Sequence, residues 1–322
     1  MSDVSAPPAA GVRLPWQAVP SWIHEAVEDH LGAPVAEAVT QAGGFSPGAA
    51  VRLLLADGRR AFVKAIGPEP NPESAGIYRA EARISAALPA EVPAPRLLAS
   101  FDADGWVALL FEDVDGRMPT MPWDAGELTL AVEAVVRLAE TLTPSPLAAP
   151  PAAEALAGMF DGWRSLAAAR DAGDDLAGLD PWAVRNLDAL AALESGWAWA
   201  SEGGTLLHGD IRADNLLFTA TGVKVVDWPW AFIGPAWFDL LAMLPSVRMQ
   251  GGPPPQEIFD RTAGDADPEA VTVVLAALAG FYVRSGRGPE LPGLPTLRPF
   301  QRAQGETALA WLRVRAGHRM AR

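Results

Sequence analysis

The residues with the clearest chemical pattern lie in the segment LLHGDIRADNLLF, at positions 206–218. His208, Asp210 and Asn215 form the pattern H-x-D-x-x-x-x-N, and Asp227 follows at the end of an apolar run. Phosphoryl transfer needs a carboxylate that orients an attacking hydroxyl group and accepts its proton, together with oxygen ligands for Mg²⁺. Asp210 fits the first requirement. Asn215 and Asp227, one neutral and one anionic oxygen donor, fit the second.

The segments HGDIRADN and VVDW together resemble the catalytic and metal-binding segments of the aminoglycoside phosphotransferase family. That family has a protein-kinase-like fold and is similar to choline and homoserine kinases. Gly209 stands where protein kinases usually have Arg, which favours the small-molecule branch. The resemblance implies ATP as the phosphate donor, with GTP as an open alternative, and Mg²⁺ as the metal. It also implies a small-molecule hydroxyl acceptor: an aminoglycoside-like compound, an amino alcohol or a sugar.

The amino-terminal half contains a lysine and a glutamate that such a fold requires. Lys64, one of only two lysines, lies in the third predicted strand, where the fold places the lysine that binds the α- and β-phosphates. Glu81 lies on the apolar face of the next predicted helix, with Ile77 and Ile84. A carboxylate on that face is costly unless it is paired, and Lys64 is the natural partner. The alternatives are that this pair only ties the helix to the sheet, or that Glu73 is the partner.

The resemblance also implies further contacts with the nucleotide. The segment GGFSPGA, which contains Ser46, would cover the phosphates between the first two strands, or would be a simple turn. Backbone groups from Glu112 to Val114 would meet the adenine at the connection between the lobes. Arg212 would contact the γ-phosphate or, alternatively, lie on the surface.

Several neighbouring residues have supporting or no roles in this interpretation. His208 is predicted to brace the catalytic loop, and the resemblance implies that Asp239 braces it as well, through hydrogen bonds. Asp214 is predicted to be solvated. Trp228 and Pro229 follow the metal-binding aspartate, and because Pro fixes φ and removes a donor, we expect no flipping activation segment.

Three other catalytic patterns fail. The segment GFSPG matches a hydrolase nucleophile elbow, but a strand pattern follows it, and Pro47 has no N–H for an oxyanion hole. His24 and His30 are six residues apart, whereas a zinc-binding helix needs a spacing of four. Neither lysine follows a glycine, which excludes a Walker phosphate loop.

Hydrophobic periodicity and turn signals predict an α+β protein with two lobes. Residues 1–16 are rich in Pro, Ala and Gly and are predicted to be a flexible tail. Residues 17–112 form a lobe with a small antiparallel β-sheet and one inserted helix, which binds the nucleotide. Residues 113–322 form a mainly helical lobe with the catalytic loop and the acceptor site. The resemblance identifies this layout as a bilobal protein-kinase-like fold.

Composition limits the partners and the compartment. The net charge of −14 disfavours nucleic acid, and the absence of Cys excludes disulfides and thiolate metal sites. The start of the chain lacks a signal-peptide pattern, and the apolar stretch AVTVVLAALAGFYV is fourteen residues long, which predicts a buried helix. We therefore expect a cytoplasmic protein without a membrane partner, and no feature indicates an obligate protein partner.

The acceptor would lie in the carboxy-terminal lobe, which contains most of the twelve Trp residues. The segment WAWASEGG and the last helix near Glu306 and Trp311 are candidate lining segments, although Trp at helical positions is usually part of a core. Two other functions remain open. One is a non-catalytic nucleotide-binding module with the same fold, which the intact set of Lys, Asp, Asn and Asp argues against. The other is a protein kinase, which Gly209 argues against.

Overall fold

The amino-terminal lobe is built on an antiparallel sheet whose neighbouring strands are joined by backbone hydrogen bonds. The computed structural model describes residues 6–69, 74–263 and 265–317. Within these residues the sheet has five strands in the order β1-β2-β3-β5-β4. They are β1 (Val35–Thr40), β2 (Ala49–Leu55), β3 (Arg60–Ile66), β4 (Leu97–Ala103) and β5 (Trp106–Glu112). Gly58, with φ of 86°, makes the tight turn that the Asp-Gly pair predicts between β2 and β3.

A helix covers each face of this sheet. Alternate residues of a strand point to opposite faces, so one strand supplies two cores. Helix α1 (Ser21–Leu31) packs Ile23 and Val27 on one face, against residues such as Val63. Helix α2 (Ser74–Ala87) packs Tyr78 on the other face, in a cluster with Leu109.

The carboxy-terminal lobe is helical, as predicted. Its helices are α3 (Ala125–Thr141), α4 (Ala152–Ala155), α5 (Gly162–Asp171), α6 (Pro181–Arg185), α7 (Leu187–Glu194), α8 (Trp197–Ala200), α9 (Phe238–Met249), α10 (Pro255–Thr262), α11 (Pro268–Gly286) and α12 (Leu297–Ala316). The buried carboxylate of Glu194 accepts hydrogen bonds from the N–H groups of Trp163 and Arg164, both at 3.0 Å. It thereby satisfies backbone donors that the first turn of α5 leaves free.

Helix α11 is the core of this lobe. Residues 270–280 are all buried, as the apolar stretch predicts. Among the described residues it is the one helix that is long and apolar enough to cross a membrane, with a mean hydropathy of 1.3 over 18 residues. However, 67% of that 18-residue stretch is buried inside the protein. The helix therefore packs as a core element, mainly against α12.

Short strands position the predicted catalytic residues. Strand β7 (Thr205–Leu207) pairs with β10 (Phe232–Gly234), and the three-stranded arrangement β6-β8-β9 consists of Gly116–Arg117, Leu216–Thr219 and Gly222–Val225. The apolar runs NLLF and VKVVDW predict β8 and β9, and no pattern predicts β6, β7 and β10. Strand β9 ends at Val225, earlier than the run VKVVDW predicts, because Asp227 adopts a left-handed backbone conformation with φ of 71°.

The predicted flexible tail is wrong for its carboxy-terminal part. Residues 1–5 lie outside the described residues. Ala10 forms hydrogen bonds in both directions with Thr296, at 3.3 and 2.6 Å. Val12 N–H donates to the Gly293 carbonyl at 2.9 Å. The low complexity of this segment gives no sign of these contacts, because their partners lie far away in the chain.

Candidate active site

Seven of the nine predicted site residues line one cavity between the lobes, whereas Asp210 and Arg212 lie beside it. The cavity has a volume of about 450 Å³. The amino-terminal lobe contributes Lys64 and Glu81, and the carboxy-terminal lobe contributes Asn215 and Asp227. Ser46, Glu112 and Val114 line the same cavity. The fold thus brings together residues that are far apart in the sequence.

Lys64 joins the two lobes at the base of this cavity. Its Nζ lies 2.6 Å from Glu81 Oε2 and also forms an ion pair with Asp227 Oδ1. Burial alone would lower the pKa of Lys64, but the carboxylates of Asp227 and Glu81 raise it above its ordinary value. Lys64 therefore stays protonated. Glu81 is only 3% exposed, and it is the partner that the apolar face of α2 predicts; Glu73 lies outside the described residues.

The catalytic loop is braced from two sides. The buried carboxylate of Asp239, at the start of α9, accepts hydrogen bonds from the N–H groups of His208 and Gly209, at 2.7 and 2.9 Å. The His208 ring lies 2.9 Å (Nε2) from the Val226 carbonyl oxygen, and its Nδ1 accepts from Asp210 N–H at 3.2 Å. These contacts require a neutral ring with the proton on Nε2. They are the bracing contacts that the sequence predicts for both residues.

Burial sets the protonation of this brace. It lowers the pKa of His208 to about 4, and it raises the pKa of Asp239 to about 6. The backbone donors of His208 and Gly209 oppose the second shift, because they stabilise the carboxylate. Both side chains therefore keep the hydrogen-bonding form seen here at neutral pH.

Gly209 has a steric role that the sequence does not reveal. Its φ is 79°, and a Cβ at this position would lie 2.6 Å from the Trp230 carbonyl oxygen. A side chain such as the Arg of protein kinases cannot occupy this backbone without moving the segment after Asp227. The local packing thus requires glycine at this position, in addition to any value that Gly209 has for distinguishing small-molecule kinases from protein kinases.

Asp210 and Asp214 both contact Arg212. The Arg212 guanidinium forms an ion pair with Asp210 and a two-pronged one with Asp214, at 3.0 and 2.9 Å. Asp214 is only 7% exposed, so the prediction of a solvated side chain is wrong. The reason is the tight turn at residues 213–215, which folds Asp214 back onto Arg212. Burial raises the pKa of Asp210 to about 7, and Arg212 opposes that shift.

Arg212 is also enclosed by aromatic rings from both lobes. Its guanidinium carbon lies 5.3 Å from the centre of the Phe45 ring and 5.9 Å from that of Phe300. The two rings contact each other edge to face, with centres 5.1 Å apart. Arg212, at 13% exposure, is therefore largely buried next to the cavity residue Phe45 rather than on the outer surface, and its contact with a phosphate stays a prediction.

Asn215 and Asp227 are adjacent in space and suit a hard cation. Val226 N–H donates to the Asn215 backbone carbonyl at 3.0 Å, which places Asn215 beside Asp227. Asn215 Nδ2 donates to the Asp210 carbonyl at 2.8 Å, so the amide oxygen is the group left for a metal. Mg²⁺ binds through one or two protein oxygens, phosphates and water, and this donor set fits it. Among the described residues, no cluster of three or more His, Cys, Asp or Glu suits a metal.

The other residues that the sequence predicts to contact the nucleotide also have defined neighbours in the structure. Ser46 Oγ lies 2.7 Å from the hydroxyl group of Tyr78. The Glu112 N–H donates to the Arg96 carbonyl at 3.0 Å. The Val114 carbonyl accepts from Gly116 N–H at 2.9 Å. Each lines the cavity, and its contact with a nucleotide stays a prediction.

The sequence reasoning missed Arg13, which lines the cleft, and several residues packed around it. Arg13 reaches the cavity from the predicted tail, and Tyr78 lies under Lys64, whose Nζ is 5.2 Å from the ring centre. Burial raises the pKa of Tyr282, and the nearby Asp210 carboxylate raises it further. Gln304 donates to the Tyr282 hydroxyl group at 3.3 Å. The helical patterns of α11 and α12 carry no signal that separates these residues from the core.

The Trp residues proposed to line the acceptor site are core residues. Trp197 and Trp311 are both buried in the main hydrophobic cluster of the carboxy-terminal lobe. Trp311 Nε1 donates to Gln256 Oε1 at 2.8 Å, which satisfies its one polar group. Trp199 and Trp230 are instead exposed, at 49% and 46%. The common core role of Trp at helical positions therefore applies to Trp197 and Trp311.

Comparisons with known proteins agree with this architecture. A model of the phosphotransferase enzyme family matches residues 41–273. No curated protein gives a significant sequence match. Among solved structures, aminoglycoside phosphotransferase APH(4)-Ia has a TM-score of 0.60 and 13% identity, and the match covers 91% of this chain and 98% of that one.

Two further structures are similar. Spectinomycin phosphotransferase APH(9)-Ia, solved with ADP and spectinomycin, has a TM-score of 0.57 and 14% identity over 90% of this chain and 98% of that one. Aminoglycoside-3'-phosphotransferase of type VIII has a TM-score of 0.52 and 23% identity over 80% of this chain and 100% of that one. The predicted kinase-like α+β fold is confirmed.

Proposed function

Because the chain belongs to the phosphotransferase enzyme family, we propose that it transfers the γ-phosphate of Mg²⁺-bound ATP to a hydroxyl group of a small molecule. The observation that carries this proposal is that Lys64, Asn215 and Asp227 line one cleft, and that Asp210 lies beside them, within hydrogen-bond distance of Asn215. Similar structures contain the ligands that such a reaction needs. APH(4)-Ia was solved with AMP-PNP and hygromycin B, and the amicoumacin kinase hAmiN with AMP-PNP and Ca²⁺.

In this proposal the amino-terminal lobe binds the nucleotide. Lys64, kept charged and fixed by Glu81, binds the α- and β-phosphates. The loop around Ser46 covers the phosphates, and the segment from Glu112 to Val114 contacts the adenine. Asn215 and Asp227 hold Mg²⁺, which neutralises charge on the phosphates when it is bound.

Asp210 acts on the acceptor. Its carboxylate accepts a hydrogen bond from the acceptor hydroxyl group, orients the oxygen and takes its proton as the new P–O bond forms and the bond to ADP breaks. Asp210 is now paired with Arg212, so the hydroxyl group has to replace or share that contact. Arg212, once released from it, would bind the γ-phosphate in this proposal.

The acceptor class and the compartment complete the proposal. Tyr282 lies near the Asp210 carboxylate, so a ring-bearing acceptor would approach Asp210 beside an aromatic side chain. The proposed compartment of the reaction is the cytoplasm. Aminoglycosides, amino alcohols and sugars are all candidate acceptors, and GTP is an alternative donor.

The test is ADP release from Mg·ATP and from Mg·GTP over a panel of aminoglycosides, amino alcohols, sugars and nucleosides. Phosphorus NMR of the product should show a phosphate ester on the acceptor. Turnover that requires one acceptor supports the proposal and names the substrate class. Tight nucleotide binding with no turnover on any acceptor would instead favour a non-catalytic nucleotide-binding module.

A further inference from the structure

Arg13 lies on a segment that connects both lobes near the phosphate end of the cavity. We name residues 9–14 the N-terminal strap. Gly44 N–H donates to the Ala9 carbonyl at 3.0 Å, and Leu14 N–H donates to the Gly48 carbonyl at 3.3 Å. On the other side, Val12 contacts Gly293 before α12. The strap therefore fixes the loop that contains Ser46 against the carboxy-terminal lobe.

The guanidinium of Arg13 points into the cavity beneath this loop. Nη1 donates to the Ser46 carbonyl at 2.9 Å, and Nη2 donates to the Gly43 carbonyl. Nε is buried, and among the described residues it has no hydrogen-bond partner. Arg13 lines the same cavity as Lys64 and Asp227. A donor on this side chain thus remains unused in the protein itself.

Charge distinguishes Arg13 from the other cations of the site. Lys64 has two carboxylate partners and Arg212 also has two, whereas within the described residues no carboxylate lies within ion-pair distance of Arg13. Burial lowers the pKa of Arg13, and the more distant Tyr78 and Asp227 only partly oppose this. A largely buried cation without a counter-ion is costly, and a bound anion removes that cost.

We infer that Arg13 binds the polyphosphate of the nucleotide and supplies a positive charge that the catalytic pattern alone does not contain. This inference rests on the proposed function, because the anion is the ATP that the cavity would hold. Its fork-shaped head suits phosphate oxygens, and two of its donors meanwhile keep the covering loop in place. A residue from the predicted tail would then set nucleotide affinity.

The experiment compares Arg13→Gln and Arg13→Lys with wild-type protein in calorimetric titrations at fixed ionic strength. The ligands are Mg·ATP, inorganic tripolyphosphate and adenosine. Arg79→Gln is the matched control, because Arg79 lies in the same lobe but pairs with Asp102 on the surface. A charge-assisted hydrogen bond lost from the complex predicts about tenfold or weaker ATP and tripolyphosphate binding for Arg13→Gln.

The inference also predicts that Arg13→Gln leaves adenosine affinity within about twofold and that Arg13→Lys recovers part of the ATP affinity, since it keeps the charge but loses the fork. Unchanged ATP affinity in Arg13→Gln would overturn it. So would equal losses for adenosine and ATP, or an Arg13→Lys variant as weak as Arg13→Gln, because each indicates that Arg13 only braces the loop. Wild-type protein that binds none of the ligands would overturn the proposed function as well.

Discussion

The ammonium group of Lys64 lies 2.6 Å from the carboxylate of Glu81, on a helix whose neighbouring residues form a hydrophobic cluster. The Glu81 side chain is 3% exposed, and that of Lys64 is 13% exposed. Removing one partner from a buried ion pair leaves an uncompensated charge, which costs about 3–5 kcal/mol. The pair therefore affects both the stability of the lobe and its chemistry, and a double variant separates the two effects.

We predict that Lys64→Met lowers the free energy of unfolding by about 3 kcal/mol or more, because the Glu81 carboxylate stays buried alone. The double variant Lys64→Met, Glu81→Leu should recover most of that stability. It should not recover ATP turnover, because no cation is left to bind the α- and β-phosphates. Urea denaturation and ADP release measure the two properties. A double variant that regains turnover would contradict the proposed role of Lys64.

Gly209→Ala should damage the catalytic loop. The left-handed backbone costs a residue with a Cβ about 1–2 kcal/mol, and the Cβ would also contact the Trp230 carbonyl oxygen at 2.6 Å. We expect a lower free energy of unfolding and at least a tenfold loss of turnover. Gly204→Ala is the matched control, because its Cβ would meet nothing within 4 Å. Equal effects of the two substitutions would show that the contact with Trp230 is unimportant.

His208 should make stability depend on pH. The pKa of His208 is about 4 in the folded protein, against an ordinary value of 6.5. Between these values the unfolded chain binds a proton that the folded protein does not, so stability falls as the pH drops from 6.5 to 4 and is fully retained above 6.5. The total corresponds to about 3 kcal/mol.

Urea denaturation at several pH values between 4 and 7.5 measures this effect. His208→Gln cannot take up the proton. We therefore expect its free energy of unfolding to fall less steeply than that of the wild type as the pH drops from 6.5 to 4, by a slope that corresponds to about one proton. His24→Gln is the control, because His24 is only partly buried. Identical pH slopes for His208→Gln and wild type would contradict the assignment of a buried neutral ring.

Local pattern was enough to predict most strands of the amino-terminal sheet and the pairing of Lys64 with Glu81, whereas the kinase-like fold and the brace from Asp239 followed from the family resemblance. The residues from His208 to Asn215 belong to one loop, and helical periodicity predicts the face on which Glu81 lies. Neither prediction depends on distant parts of the chain. The strands of the amino-terminal sheet are likewise marked by apolar runs and by the turn at Gly58. At these positions the local sequence determines the structure, and tertiary contacts change it little.

Other features depend on tertiary contacts that local pattern does not contain. Ala10 and Thr296 are 286 residues apart, and the composition around Ala10 is that of a flexible tail. Strands β6 and β10 are two and three residues long, too short for a periodic signal. Asp214 has the appearance of a solvated loop residue until the turn brings it onto Arg212. Each exception results from a partner brought in by the fold.

The most direct test of the central claim compares Asp210→Asn with Asp214→Asn in acceptor-dependent ADP release, using the acceptor that the panel identifies. Both carboxylates contact Arg212, but only Asp210 is proposed to take the proton of the hydroxyl group. We predict a loss of about 100-fold or more for Asp210→Asn, within the range for general base catalysis. Its affinity for ATP should stay close to that of the wild type, and Asp214→Asn should keep most of its turnover. Wild-type turnover in Asp210→Asn would contradict the account.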